Sequence, residues 1–168
     1  LDEDENELEN IVHVEADSSS AIAVNKDGEV FIWGEHFVWT QDEETNEKQV
    51  VSENLVYATK VSGLPTISKV GIYDNNFYVI DETGNLYVWG NDYEYTTAIP
   101  ISVPITDISR DILLGEDGLV YLVNDTTQTI AYLNNICEIE SGEDHYLFVN
   151  LNGYVYSIGK NDIGQLGD

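Results

Sequence analysis

The single cysteine and the three histidines are the side chains of this sequence best suited to nucleophilic, acid–base or metal chemistry. They are Cys137, His13, His36 and His145. A reactive cysteine needs a histidine or a cationic neighbour to stabilise its thiolate, but Cys137 lies in the apolar run 136–139 without one. Zinc sites place cysteine and histidine ligands at short regular spacings, and these histidines have no such spaced partners. We therefore expect an inert strand cysteine, no metal and no cofactor.

Two further segments resemble ligand sites only superficially. Residues 2–6 are acidic like the start of a calcium loop, but the glycine at its sixth position and the glutamate at its twelfth are missing. We expect an acidic N-terminal tail over residues 1–9. The glycines of Gly164-Gln165-Leu166-Gly167 turn the chain and are not expected to hold phosphate. Because no nucleophile elbow, phosphate loop or paired-carboxylate motif is present, we expect no catalytic residues and no enzyme activity.

The charge balance excludes whole classes of partner. The chain has 32 Asp and Glu against 6 Lys and Arg, a formal net charge of −26. Nucleic-acid binding requires clustered Lys and Arg, and attraction to an anionic membrane surface requires basic segments. No apolar run is long enough to cross a bilayer. Two interpretations of the acidity remain, namely solubility through self-repulsion and a basic protein partner.

An internal repeat indicates which elements position these residues. Four segments align on Gly28, Gly84, Gly118 and Gly153. The second residue after each glycine is Val, Leu, Val and Val, and the third is Phe, Tyr, Tyr and Tyr. The sixth residue is glycine in three segments, at Gly34, Gly90 and Gly159. Such identity in register indicates diverged copies of one unit.

Each copy is predicted to contain a β-hairpin. An apolar run, a short polar turn ending in glycine and a second apolar run follow one another, and glycine supplies the positive φ of the turn. A third strand precedes each hairpin at residues 11–14, 67–70, 105–108 and 136–139, and residues 49–51 and 99–101 are candidates for an outer strand. This pattern predicts an all-β chain of β-propeller blades, with about 3.5–4 repeats forming a partial or half propeller. A β-sandwich is the disfavoured alternative, because its strands do not repeat residue identities in register.

The last copy carries the most specific pattern. Gly142-Glu143-Asp144-His145, the strand 153–159 and the loop Gly164-Gln165-Leu166-Gly167 resemble the repeat of the regulator of chromosome condensation family. The resemblance covers roughly residues 10–168, with blades of about 10–66, 67–104, 105–135 and 136–168. It implies a propeller, typically seven-bladed, whose faces bind macromolecules, and it makes His145 a structural histidine of the blade core. The other copies have Ser20, Asn76 and Arg110 at that position.

The functions known in that family set the expectations for this chain. Its founding members are nucleotide-exchange factors for a small GTPase and also dock on chromatin, while many bacterial relatives are secreted and one type inhibits β-lactamases. We expect no chromatin docking, because the chain lacks basic surface. The main hypothesis is a non-catalytic interaction module that binds a protein through its loop face. The alternatives are an architectural segment of a larger secreted or surface protein and a β-lactamase-type inhibitor.

One insertion is the candidate partner site. After Gly34 the first copy adds an acidic and aromatic stretch, and a shorter one follows Gly90; the residues concerned are His36, Phe37, Trp39, Asp42, Glu43, Tyr93 and Tyr95. Aromatic anchors beside charge are typical of protein-binding surfaces. The alternative is an outer-strand segment whose aromatic rings pack between blades.

Two expectations concern the chain as a whole. It contains no methionine, so we expect that its natural N-terminus is absent. The compartment is left open, with an extracellular or cell-surface location favoured. Blades at the ends of an array expose apolar strands, so we expect a homo-oligomer or part of a longer repeat array.

Overall fold

The computed structural model describes Leu1 and residues 6–167, and in these residues all regular secondary structure is β-strand. The first sheet contains β1 (Ile11–Ala16), β2 (Ser20–Asn25), β3 (Val30–Gln41) and β4 (Lys48–Lys60). The second contains β5 (Ile67–Tyr73), β6 (Asn76–Asp81), β7 (Leu86–Gly90) and β8 (Tyr93–Ile99). The third contains β9 (Ile105–Ser109), β10 (Ile112–Gly115), β11 (Val120–Leu122) and β12 (Asp125–Thr129). The fourth contains β13 (Ile136–Ser141), β14 (His145–Asn150) and β15 (Val155–Gly159).

Within each sheet, every strand pairs antiparallel with the next strand along the chain. This order is that of a propeller blade, so the predicted fold class is confirmed. The prediction for the outer strand of the second sheet was wrong, because β8 ends at Ile99 and Pro100 lies beyond it. Proline lacks the N–H that a paired strand donates. Residues 2–5 of the predicted acidic tail lie outside the described residues, as does Asp168.

The chain forms two compact units, Leu1–Ile99 and Pro100–Asp168. In the first, the first and second sheets share one apolar core, which consists of Ile22, Val24, Val30, Ile32, Ile67, Val70, Ile72, Phe77 and Val79. Burying each such side chain stabilises the unit by about 1.5–3 kcal/mol. Two polar contacts set the register of β5: the Ile67 amide donates to the Gly28 carbonyl at 3.1 Å, and the Val70 amide donates to Nδ1 of His13 at 3.3 Å.

The second unit repeats this arrangement with the third and fourth sheets. Its buried core consists of Ile112, Leu114, Val120, Leu133, Ile136, Ile139 and Phe148. The Ile136 amide donates to the Gly118 carbonyl at 3.0 Å, as Ile67 does to Gly28. The Tyr146 hydroxyl also donates to the Asp111 carboxylate at 2.8 Å. The first strand of one sheet therefore meets the hairpin turn of the preceding sheet in both units.

The repeated glycine at the end of the third strand is required by a close backbone approach. A Cβ placed on Gly34 would lie 2.2 Å from the carbonyl oxygen of Ser19, and one on Gly159 would lie 2.4 Å from that of Asp144. Both residues also have positive φ, 86° and 127°, which disfavours any side chain. The repeat therefore keeps glycine where the third strand passes the start of the second.

Candidate protein-interaction site

The insertion of the first sheet is an extended β-hairpin. After a register shift between Ile32 and Gly34, β3 and β4 stay paired from Gly34–Leu55 to Gln41–Lys48. We call residues 35–54 the arm. Its seven residue pairs give it a length of roughly 24 Å.

The second sheet shows where the arm begins. There the pair corresponding to Gly34–Leu55 is Gly90–Tyr93, and Asn91 and Asp92 alone connect the two strands. The amides that follow the two glycines make the same bond, Glu35 to the Ser19 carbonyl at 2.9 Å and Asn91 to the Asn75 carbonyl at 3.1 Å. The arm is therefore an addition to an otherwise ordinary blade.

One side of the arm contacts the second sheet. Phe37 and Trp39 share this side, because side chains two residues apart on a strand point the same way. The indole Nε1 of Trp39 donates to the carbonyl oxygen of Gly90 at 3.2 Å. Nζ of Lys48, the partner of Gln41, lies 2.5 Å from a carboxylate oxygen of Glu94. Both rings are half-buried, so the structure places them on the supporting side of the arm.

The other side of the arm carries His36, Val38 and Thr40. Nδ1 of His36 lies 3.2 Å from the carbonyl oxygen of Glu53, and Nε2 lies 3.8 Å from its carboxylate. The His36 side chain is 14% exposed. These contacts hold the imidazole against the neighbouring strand, where it fixes the pairing.

The tip of the arm is acidic, and its first residue, Asp42, holds the turn together. The Asp42 carboxylate accepts hydrogen bonds from the amides of Thr45 and Glu44 at 2.7 and 2.9 Å. These bonds, led by that from Thr45, lower the pKa of Asp42, because they stabilise the charged form. Asp42 therefore stabilises the turn. Glu43, Glu44 and Glu47 are exposed to solvent.

The shorter candidate segment belongs to the same unit as the arm. Tyr93 begins β8, pairs with Gly90 and is half-buried. The side chain of Tyr95 lies outside the described residues. Tyr78, which lies nearby in β6, has its pKa raised by burial and by the neighbouring Tyr93. Tyr93 is thus placed in an outer strand, and the sequence had left an outer-strand segment open as the alternative to a partner site.

The remaining sequence candidates lie in the fourth sheet. His145 pairs with Gly159, as Ser20 and Asn76 pair with Gly34 and Gly90. The sequence predicted a buried imidazole, but the ring is half-buried and packs against Gly142. Cys137 is exposed on β13.

The loop that follows β15 folds back onto it. The Ser157 hydroxyl donates to the Leu166 carbonyl at 2.9 Å, and the Ile163 amide donates to Oε1 of Gln165 at 3.0 Å. Gly164 and Gly167 both have positive φ, at 84° and 83°. These two residues therefore turn the chain, as the sequence predicts.

The described part of the chain lacks two further kinds of feature. Among these residues, no three His, Cys, Asp or Glu side chains are arranged to hold a metal ion. No helix within the same residues has the length and apolar character needed to cross a membrane.

Sequence reasoning offered residues 49–51 as an outer strand and left an outer-strand role for the insertion open, but it missed the pairing of residues 35–41 with residues 48–54 and the contacts with Gly90 and Glu94. One signal was available: apolar residues occur on both sides of the turn-forming segment 42–46, at Phe37, Val38 and Trp39 before it and at Val50 and Val51 after it. That is the pattern of a hairpin.

Comparisons with known proteins identify the fold. No protein-family model matches the sequence, and no curated protein matches it. Human WBSCR16 has a TM-score of 0.71 at 18% identity, over 96% of this chain and 50% of its own. Yeast RCC1 (Prp20), in a structure bound to Kap60, has a TM-score of 0.69 at 17% identity, over 94% of this chain and 45% of its own.

A third similar structure is that of Prp20p from Saccharomyces cerevisiae, described with its binding properties to Gsp1p and histones. Its TM-score is 0.67 at 17% identity, over 94% of this chain and 46% of its own. The chain thus spans about half the length of each of these structures. They are propellers of the regulator of chromosome condensation type, which confirms the resemblance at the level of the fold.

Proposed function

We propose that this chain is a non-catalytic protein-interaction module and that the arm is its partner-binding element. The observation that carries the proposal is the seven-pair extension of β3 and β4 beyond the point where the second sheet turns. The extension adds nothing to the apolar core of its unit, whose residues lie outside the arm. Function on propellers is commonly carried by elements that project from a rigid frame.

The contacts of the arm support a recognition role. Its supporting side is held at Gly90 and Glu94, which limits the conformational entropy that binding must remove. Its tip presents Glu43, Glu44 and Glu47 to solvent. We therefore expect a protein partner with a basic surface, recognised through charge complementarity.

The structural neighbours support the same class of function. One was solved bound to Kap60, and another was described with binding to Gsp1p and histones. Those partners belong to those proteins, and for this chain they support only the class of function, protein binding.

A trimmed variant tests the proposal. Residues 35–54 are replaced by Asn-Asp, the two residues that connect Gly90 and Tyr93 in the second sheet. This change keeps the blade and removes the arm. Intact and trimmed chains are immobilised and exposed to the same extract, and the retained proteins are quantified by mass spectrometry. We expect a basic protein that the intact chain retains at least about tenfold more strongly, a difference of about 1.4 kcal/mol.

A charge variant separates the tip from the rest of the arm. The triple change Glu43→Gln, Glu44→Gln and Glu47→Gln removes the exposed charges and leaves Asp42 to close the turn. We expect it to weaken the same interaction and to reduce its dependence on salt. Capture of the same proteins in the same amounts by intact and trimmed chains would reject the arm as a binding element and favour an architectural role.

A further inference from the structure

The outer edge of the arm is an unpaired strand edge. β4 is the last strand of the first sheet and, within the described residues, pairs with β3 alone. The apolar core that the first and second sheets share contains no residue of the arm. A sheet packed in this way covers the side of its neighbour and leaves this edge open.

The hydrogen bonds at both ends of the arm show which backbone groups point outward. In an antiparallel pair, residue pairs that exchange hydrogen bonds alternate with pairs whose backbone groups point away from each other. The Asp42 amide donates to the Glu47 carbonyl at 2.9 Å, whereas the Glu35 amide donates away from the arm, to the Ser19 carbonyl. Both bonds give the same alternation along β3 and β4. The outward-pointing amides and carbonyls of β4 accordingly belong to Val50, Ser52 and Asn54.

This edge lacks the usual protection against a further strand. Exposed edge strands commonly carry proline, lysine or inward-pointing charges that prevent pairing. Residues 49–57 of β4 contain no proline and no lysine, and Glu53 is their one charged residue. Val50 is 36% exposed, so it offers an apolar contact beside the open backbone groups.

The same strand already bonds to an added segment at a point closer to its end. The Ala58 amide donates to the Leu1 carbonyl at 2.9 Å, and Ala58 is buried. Because this amide bonds to a residue outside β3, it belongs to the outer edge. The outer edge of β4 therefore accepts an additional backbone segment.

Charge and side-chain alternation indicate which segment fits. The arm contains six acidic residues and one basic residue, namely Glu35, Asp42, Glu43, Glu44, Glu47, Glu53 and Lys48. Glu53 and Val50 point to opposite sides of β4, because they are three residues apart on a strand. A strand with alternating basic and apolar residues would therefore place its basic side chains beside Glu53 and its apolar side chains beside Val50. A second copy fits less well, because each copy carries a charge of −26.

We infer that the edge of β4 at residues 50–54 binds an extended segment of a protein partner in which basic and apolar residues alternate. The segment adds a fifth strand to the first sheet. Backbone hydrogen bonds to Val50, Ser52 and Asn54 give affinity, and the alternating side chains give specificity. This inference rests on the proposed function, because it names the way in which the arm binds.

A proline substitution tests the edge and keeps the arm. Ser52→Pro removes an amide that points outward, where proline is tolerated on an edge strand. Ser52→Ala is the matched control, because both variants lose the hydroxyl bond to Glu35 and only the first loses the amide. The probe is a fluorescent peptide of alternating Lys and Val residues, titrated by anisotropy. It should bind Ser52→Pro at least about tenfold more weakly than Ser52→Ala.

Backbone methylation of the probe gives a second test, on the unchanged chain. One peptide is N-methylated at every Lys and the other at every Val, so the two have the same charge. Only one of the two alternating sets of amides faces β4 in an added strand. One methylated peptide should therefore lose binding and the other should keep it. Equal binding of the two overturns the inference, and this test decides if near-ultraviolet circular dichroism shows that Ser52→Pro disturbs the arm.

The comparison with the trimmed chain separates this inference from the proposed function. If intact and trimmed chains retain the same proteins from an extract, the proposed function fails. If the trimmed chain loses its partner but Ser52→Pro retains it as Ser52→Ala does, the proposed function stands and strand addition is overturned. Self-association of the unchanged chain in light scattering, abolished by Ser52→Pro, would make a second copy the occupant and would also overturn the inference.

Discussion

The indole Nε1 of Trp39 donates a hydrogen bond to the carbonyl oxygen of Gly90 at 3.2 Å. Trp39 lies far out on the arm, and Gly90 ends the third strand of the second sheet. This bond joins an added hairpin to the backbone of a neighbouring blade. The orientation of the arm consequently depends on one side-chain donor together with the Lys48–Glu94 ion pair.

Replacing Trp39 by Phe should loosen the arm without unfolding the unit. The ring is largely kept, but the donor is lost, and the free energy of unfolding should fall by about 1 kcal/mol. Amide hydrogen exchange in residues 36–51 should accelerate, while that in β5 and β6 should not change. Val56→Ala is the control, because Val56 is 83% exposed. Equal protection of the arm in Trp39→Phe and the unchanged chain would contradict this role of the indole.

Replacing Lys48 by Ala should have a smaller effect. The Lys48 and Glu94 side chains are 47% and 28% exposed, and pairs of this kind contribute about 0–1 kcal/mol. The difference between variant and unchanged chain should shrink as salt is added, and denaturant titrations at two salt concentrations measure it. A loss larger than that of Trp39→Phe at high salt would show that the ion pair is the main attachment.

Asp81 should make stability depend on pH in the acid range. Burial raises the pKa of Asp81, but hydrogen bonds from Asn85 and Thr83 outweigh it and lower the pKa to about 2 from 3.8. Since the folded pKa lies below the unfolded one, the stabilisation is present above about pH 4 and is lost as the pH falls towards 2. A shift of this size corresponds to about 2 kcal/mol.

The repeat itself supplies the control for Asp81. Asn25 and Asn150 occupy the same turn position, and their side-chain oxygens accept the same pair of backbone amides. Asp81→Asn should therefore fold normally and lose this part of the acid sensitivity. Asn150→Asp should become more sensitive to acid than the unchanged chain. Chemical unfolding between pH 2 and pH 5 measures both. Identical pH profiles for Asp81→Asn and the unchanged chain would rule out Asp81 as the source.

Gly34→Ala should destabilise the first unit far more than Gly63→Ala. Both glycines have positive φ, 86° and 82°, but a Cβ on Gly63 would meet nothing within 4 Å. Gly63→Ala should therefore cost about 1 kcal/mol from backbone strain alone. Gly34→Ala adds the clash with the Ser19 carbonyl and should cost at least about 3 kcal/mol. Thermal unfolding of both variants checks the difference, and equal losses would show that contact at Gly34 is relieved by a small shift.

The parts of the fold that were predictable from sequence are those fixed by local backbone chemistry. The hairpins follow from Gly28 and its matches, because a tight turn needs positive φ there. The outer strand of the second sheet was misplaced, since its polar residues give no apolar signal and its end is set by Pro100. The half-burial of His145 depends on its tertiary surroundings, in which the ring packs against Gly142, and local sequence does not encode such surroundings.

The candidate site was predictable in composition but not in arrangement. The aromatic and acidic residues of the arm are evident from sequence, but which side each occupies depends on the register between β3 and β4. That register is shifted between Ile32 and Gly34, and one residue of shift exchanges the two sides of a strand. The contact between Trp39 and Gly90 joins residues in different blades, so no local pattern indicates it.

The pairing of Gly34 with Leu55 makes the length of the arm adjustable in discrete steps. Glu35 keeps its bond to the Ser19 carbonyl, and the described residues beyond it bond across the hairpin and to the neighbouring blade's edge. The arm can therefore grow or shrink there without repacking the interior. Each added pair advances the tip by about 3.4 Å and turns its side chains to the opposite side. Adding or removing an odd number of pairs would turn the acidic side chains of the tip away from their present direction. An even number would keep that direction. The parity of the number of residue pairs in this hairpin therefore sets which of two directions the side chains of the tip face.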